Sequence, residues 1–137
     1  MKGSETPEAR RDNFGSDVRN LLPGLVKNVQ QIIESNESFS PDIKQRLFVA
    51  LNVTEDEVIS NIIENSTRYS YLKDSEKKIK YFLIYRLMGE TIHVLQTVSS
   101  TAEKNAFLKL LTYLKPVLTE EEKAGSQAWA EKRKKLD

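Results

Sequence analysis

The sequence predicts an all-α protein, folded as a compact bundle of about five to six helices around one long apolar central helix. Apolar residues recur at spacings of three and four rather than alternately, which is the helical period. Only 5 glycines and 4 prolines interrupt the 137 residues. Several segments also begin with Ser or Thr followed three residues later by Glu, the pattern of a helix capping box. The length suits one domain with its own core.

The first helix is expected to begin near Ser16, after a flexible N-terminal segment at residues 1–14. Pro23 falls inside its apolar stripe, and the unbroken period predicts a kink there rather than a restart. Ser40 followed by Pro41 marks the start of a second helix. The two apolar stripes comprise Val18, Leu22, Leu25, Val29, Ile32 and Ile33 in the first helix, and Ile43, Leu47, Ala50 and Leu51 in the second.

A capping box at Thr54 and Glu57 starts the third helix, in which the hydroxyl and the carboxylate each accept a backbone N–H. A polar connector follows at residues 64–74. Ser75 is expected to open the central helix, which reaches about Val98. The third helix is expected to bury Val58, Ile59, Ile62 and Ile63.

Two further capping boxes start the remaining helices, one at Ser100 with Glu103 and one at Thr119 with Glu122. The first of these helices carries Phe107, Leu110, Leu111, Leu114 and Leu118 in register. We therefore divide the chain into the N-terminal segment, a bundle domain at residues 15–118 and a C-terminal helix with a basic tail at residues 119–137.

The central helix is apolar over about 200° of its circumference, more than a surface helix needs. Its polar strip contains Arg86, Glu90, His93 and Thr97, with Arg86 and Glu90 spaced for an ion pair. The arc that we expect to be buried comprises Tyr81, Leu83, Ile84, Tyr85, Leu87, Met88, Thr91, Ile92, Val94, Leu95 and Val98.

Basic and aromatic side chains alternate in the segment leading into the central helix. Between residues 68 and 86, six basic residues face two acidic ones. Phosphates and bases could bind such a segment. The alternative is that the acidic third helix, with its carboxylates at Glu55, Asp56, Glu57 and Glu64, covers and neutralises it. The candidate contacts are Arg68, Tyr69, Tyr71, Lys73, Lys77, Lys78 and Lys80.

The C-terminal tail is a second candidate interface, made of Trp129 and the basic cluster Lys132, Arg133, Lys134 and Lys135. The cluster suits a nuclear-localisation or nucleic-acid role, or it simply complements the dipole at the helix C-terminus. Trp129 has few apolar neighbours in its own helix. We expect this helix to pack against a second copy or another partner rather than solely on its own bundle.

The chain offers little material for catalysis. It has no cysteine and one histidine, which leaves nucleophilic catalysis without a base and its orienting group. Glu90 and His93 match the Glu-x-x-His pattern of di-iron bundles, but such a centre needs a second copy and further carboxylates. Neither G-x-G-x-x-G nor G-x-x-x-x-G-K-[ST] occurs. We expect no enzymatic activity, no metal and no cofactor.

The chain places its apolar residues on helix faces and offers no preassembled reactive group of residues, which favours a protein that binds another protein. The 21 basic and 20 acidic residues leave a formal net charge of +1, so no global field attracts polyanions. No signal-peptide core and no long apolar run occurs, which indicates an intracellular protein of the cytoplasm or nucleus that avoids membranes. The predicted function is a non-enzymatic protein–protein interaction module, an adaptor or small accessory subunit; the alternative is nucleic-acid association through residues 68–80 and the basic tail.

Overall fold

The computed structural model describes the backbone of residues 7–136 and the side chains of residues 13–135. This part of the chain contains seven helices and no strand, which confirms the predicted all-α class. The helices are α1 (Pro7–Ser35), α2 (Pro41–Ala50), α3 (Glu55–Glu64), α4 (Ser66–Tyr69), α5 (Ser75–Thr97), α6 (Thr101–Leu114) and α7 (Glu120–Leu136).

The central position of α5 is confirmed, because α1, α2, α3 and α6 all pack against it. The buried face of α5 differs from the predicted arc, however. Tyr85, Met88 and Val98 are exposed, whereas Phe82, placed outside the arc, is buried. Because α5 is apolar on most sides, its sequence does not show which side the neighbouring helices leave exposed to solvent. The residues of α5 that are buried are Ile79, Phe82, Leu83, Leu87, Thr91 and Leu95.

Helix α1 begins nine residues earlier than predicted, at Pro7 rather than near Ser16. Proline is well tolerated at the first helical position, since its missing N–H would have no partner there. The helix also continues through Pro23 to Ser35, so the helix does not restart at that proline. Residues 1–6 of the predicted flexible segment lie outside the described residues.

The start of α3 follows only half of the predicted capping box. The Thr54 hydroxyl accepts the Glu57 backbone N–H at 3.0 Å, but the Glu57 carboxylate lies 3.1 Å from the Arg86 guanidinium of α5. The expected Arg86–Glu90 pair is thus replaced by a link between two helices, which also joins α3 to the centre of the bundle. Ile63, expected to be buried, is exposed.

The polar connector before α5 contains the short helix α4, and α5 begins at Ser75 as predicted. The preceding residue, Asp74, is the N-cap, and its carboxylate accepts the Lys77 N–H at 2.8 Å. The starts at Ser40 and Ser100 agree with the predictions: the Ser40 hydroxyl accepts from Ile43, and Ser100 and Glu103 form a complete box.

Candidate functional site

Helix α7 lies against the basic segment, and Glu122 is the centre of this contact. Its side chain has no exposed surface. One carboxylate oxygen lies 2.5 Å from the Lys77 ammonium and accepts the Thr119 N–H at 2.9 Å. The other oxygen accepts the Lys73 N–H at 2.8 Å. Since the Thr119 hydroxyl accepts the Glu122 N–H, the predicted capping box is confirmed, and its acid also joins α7 to the start of α5.

These partners fix the charge of Glu122. The Lys77 ammonium, followed by the Thr119 and Lys73 backbone N–H groups, lowers the pKa of the Glu122 carboxyl to about 2 against the opposing effect of burial. The same contact raises the pKa of Lys77. The pair therefore stays ionised at neutral pH, as a structural ion pair between two elements.

Two further contacts bring the first turns of α7 close to the basic segment. Lys73 lies 3.1 Å from Glu121, in an exposed pair. Gly125 approaches the Tyr71 side chain so closely that a Cβ on Gly125 would lie 2.6 Å from the Cβ of Tyr71. The Tyr71 ring meets the Tyr81 ring edge-on at 6.4 Å. The acidic cover expected from α3 is thus supplied by α7 at Lys73 and Lys77, while Glu57 of α3 pairs with Arg86 at the end of the segment. The close approach of α7 to Tyr71 depends on the missing side chain of Gly125.

The other candidate contacts of the basic segment also have partners within the chain. Lys80 lies 3.3 Å from Glu76. The Arg68 guanidinium lies over the Tyr85 ring at 5.0 Å and the Lys78 ammonium over the Phe14 ring at 5.9 Å. Tyr69 is buried, and its burial raises the pKa of its phenol to about 12. The Tyr69 ring therefore offers no free face to a base, contrary to the stacking role considered for it.

The basic tail belongs to α7, which is helical to Leu136. Arg133 lies over the Trp129 ring at 5.5 Å, so the ring is partly covered by its own helix. Lys132, Lys134 and Lys135 are exposed. The first half of α7 docks on its own chain through Glu122 and Gly125, while binding of a partner by Trp129 stays a prediction.

A second buried carboxylate, Glu103, joins the starts of two helices. One of its oxygens accepts the Ser100 N–H at 3.3 Å, and the other accepts the Ser40 N–H at 2.9 Å. The hydrogen bond from the Ser40 N–H contributes most to lowering the pKa of Glu103. Beside it lies an open cleft of about 350 Å³, lined by Ser40, Asp42, Ile43, Arg46, Val94, Val98, Ser99 and Glu103.

Glu90 and His93 do not form part of a metal centre in the described chain. Both side chains are exposed, and the Glu90 carbonyl oxygen accepts the Arg46 Nε–H at 3.2 Å. Among the side chains of residues 13–135, no three histidine or carboxylate groups lie close enough together to hold a metal ion. Across residues 7–136, no helix has both the length and the apolar character needed to cross a membrane.

The outer face of α6 is a surface that the sequence analysis missed. Helix α6 packs on α5 and α1 through one face, where Ala106, Phe107, Leu110 and Leu114 are buried. Leu108 and Tyr113 are nevertheless 59% and 51% exposed, and Val117, just beyond the helix, is 89% exposed. Single exposed apolar residues are common, but three within ten residues mark this face as distinct.

The same outer face is basic. Residues 101–118 contain Lys104, Lys109 and Lys115 and a single carboxylate, Glu103, which is buried beneath the helix. All three lysines are exposed. No carboxylate among the described side chains lies within 4 Å of their amines, in contrast to Lys73, Lys77 and Lys80. The signal was present in the sequence: an apolar residue opposite the buried stripe, with lysines around it.

Comparisons with known proteins identify no relative of this chain. No family model, no curated protein and no solved structure matches the chain.

Proposed function

We propose that this protein is a non-enzymatic protein–protein interaction module, an adaptor or small accessory subunit, that binds its partner on the outer face of α6. The observation that supports it most is the exposure of Leu108 at the middle of that face, with lysines on both sides and, among the described side chains, no carboxylate within 4 Å of their amines. Exposed apolar groups surrounded by polar ones are typical of protein interfaces.

The buried polar side chains favour a structural role over catalysis. Within the described residues these are Thr91, Glu103 and Glu122. Thr91 donates its hydroxyl hydrogen to the Leu87 carbonyl oxygen, and each glutamate accepts hydrogen bonds from helix starts. The pKa values of both carboxyls are lowered, which makes each a weak base and leaves it without a proton to donate at neutral pH.

Nucleic-acid association through residues 68–80 receives less support. Lys73, Lys77 and Lys80 have carboxylate partners, while Arg68 and Lys78 lie over aromatic rings. Phosphate binding there would first have to replace these contacts, whereas the α6 lysines need no such exchange. An intracellular location remains part of the proposal, in agreement with the lack of cysteine.

Photo-crosslinking of the full chain in cells tests the proposal. A crosslinking amino acid at Thr112, which is exposed on the outer face of α6, is expected to give one discrete protein adduct. The same group at Gln31, exposed on α1, serves as the positional control. Leu108→Asp should abolish the Thr112 adduct without unfolding the chain, because substitutions at such exposed sites change stability by about 0.5 kcal/mol or less. Adducts that are equal at both positions, or that survive Leu108→Asp, would contradict the proposal.

A further inference from the structure

The order of charged and apolar side chains on the outer face of α6 favours some kinds of partner over others. Lys104, Leu108, Thr112 and Lys115 follow one another at spacings of four, four and three residues, which places them along one line of the helix surface. The two lysines at the ends of this line are about 16 Å apart along the axis, at 1.5 Å per residue. Lys109 and Tyr113 lie on a neighbouring line. An apolar centre thus lies between two positive ends.

From this arrangement we infer that the partner segment is an acidic amphipathic helix of another protein, which places an apolar side chain against Leu108 and carboxylates near Lys104 and Lys115. The inference rests on the proposed function, since it names the chemistry of the partner bound at the same face. Two acidic residues about eleven positions apart, with apolar residues between them, match the spacing of the lysines. Charge complementarity of this kind sets orientation and association rate.

The apolar groups disfavour a nucleic acid or a lipid surface as the occupant. Bases stack on aromatic rings and guanidinium groups. The residue between the two lysines is Leu108, the cations are lysines, and the one exposed ring of α6, Tyr113, lies on the neighbouring line rather than between them. A helix that lies on a membrane needs a wide apolar face. Here the wide apolar face of α6 is turned to the core, and Thr101, Asn105 and Thr112 are exposed beside Leu108.

A second copy of the chain is also disfavoured. One acidic surface that could meet α6 is the outer side of α3, where Asp56 and Glu64 are exposed beside Ile63. A two-fold dimer on this contact must form the α6–α3 pairing twice at once, and a contact that forms only once is head-to-tail and closes only when the rotation between copies permits a ring. A partner with its own acidic helix requires no such condition.

Selection from a displayed library of random 16-residue peptides tests the inference. The library is enriched on the full chain, and each enriched peptide is then titrated against the full chain and against the double variant Lys104→Glu, Lys115→Glu. We expect the enriched peptides to be acidic, with carboxylates about three helical turns apart around Leu, Ile or Phe. Their affinity should fall at least tenfold on the double variant and several-fold between 0.05 M and 0.5 M NaCl. The matched control, Arg19→Glu with Lys27→Glu, makes the same change in net charge at exposed positions of α1 and should bind normally.

The outcomes separate the inference from the proposed function. Neutral or basic enriched peptides, or peptides that bind the double variant equally well, would overturn the inference while the Thr112 adduct could still support the proposed function. A lysine-dependent preference for a 20-nucleotide single-stranded RNA or for phosphatidylserine vesicles would replace the protein partner by a polyanion or a membrane. Concentration-dependent self-association that Asp56→Lys removes would identify the second copy as the occupant.

Discussion

Substitution of Gly125 by alanine is the sharpest test of how α7 is held. The added Cβ would lie 2.6 Å from the Tyr71 Cβ and 3.5 Å from its Cα. Carbon atoms prefer separations of about 3.5–4.0 Å, so α7 or the connector must move by about 1 Å. Because the obstructing atoms belong to the backbone and the first side-chain carbon, no change of rotamer can relieve the clash.

The expected magnitude is the difference between two opposing effects. Replacing glycine by alanine inside a helix stabilises the helix by about 1 kcal/mol, while overpacking costs about 1–3 kcal/mol. Gly125→Ala should therefore be neutral or destabilise by up to about 2 kcal/mol. Gly24→Ala and Gly89→Ala are the controls, since each of these glycines is helical and a Cβ there meets nothing within 4 Å. Both controls should stabilise by about 1 kcal/mol.

Thermal unfolding followed by circular dichroism and by the fluorescence of Trp129, the only tryptophan, measures the difference. At about 4 °C per kcal/mol for a chain of this size, the controls should raise Tm by about 4 °C. Gly125→Ala should leave Tm unchanged or lower it by up to about 8 °C, with an altered Trp129 spectrum. If Gly125→Ala raised Tm as much as the controls and left the spectrum unchanged, the close packing of α7 on Tyr71 would be refuted.

Three further substitutions test the buried groups. The pKa of Glu122 is lowered from 4.5 to about 2, so the ionised carboxylate stabilises the folded state fully above pH 4.5, and this stabilisation is lost as the pH falls towards 2. In urea unfolding at several pH values, Glu122→Gln should weaken the dependence of the unfolding free energy on acid. The control substitution at an exposed site, Glu131→Gln, should leave that dependence unchanged. Glu103→Ala should destabilise by about 2 kcal/mol, since two backbone N–H groups lose their acceptor; a loss below about 0.5 kcal/mol would contradict that role. Leu87→Ala in the core should lower the free energy of unfolding by about 2–5 kcal/mol, whereas Leu108→Ala at the exposed site should lower it by about 0.5 kcal/mol or less. Equal losses would show that the burial assigned to these two residues is wrong.

Local signals predicted the helix starts well. Ser40 was identified from the proline that follows it, and Ser100 and Thr119 from a glutamate three residues later; both spacings are set by the geometry of the first helical turn. The start of α3 was found for the same reason. The second half of its box failed because Arg86, 29 residues away in the chain, attracts the Glu57 carboxylate.

The cover of the basic segment could not be predicted from charge. Helices α3 and α7 both begin with three acidic residues, so charge alone could not choose between them. What distinguishes α7 is the close approach of Gly125 to Tyr71, which involves residues 54 positions apart. The outer face of α6 was overlooked for a different reason: the strong buried stripe of that helix accounted for its apolar residues, and Leu108 on the opposite side received no separate explanation.

The carboxylates of Glu103 and Glu122 each accept hydrogen bonds from two places, the start of their own helix and a distant part of the chain. Each occupies the third position of its helix and also accepts a backbone N–H from elsewhere, from Ser40 and Lys73 respectively. Unwinding the first turn of α6 or α7 therefore releases an amide that belongs to another element. Hydrogen exchange at the Ser40 and Lys73 amides consequently reports the opening of α6 and α7, so the fraying of a helix end can be measured at residues outside that helix.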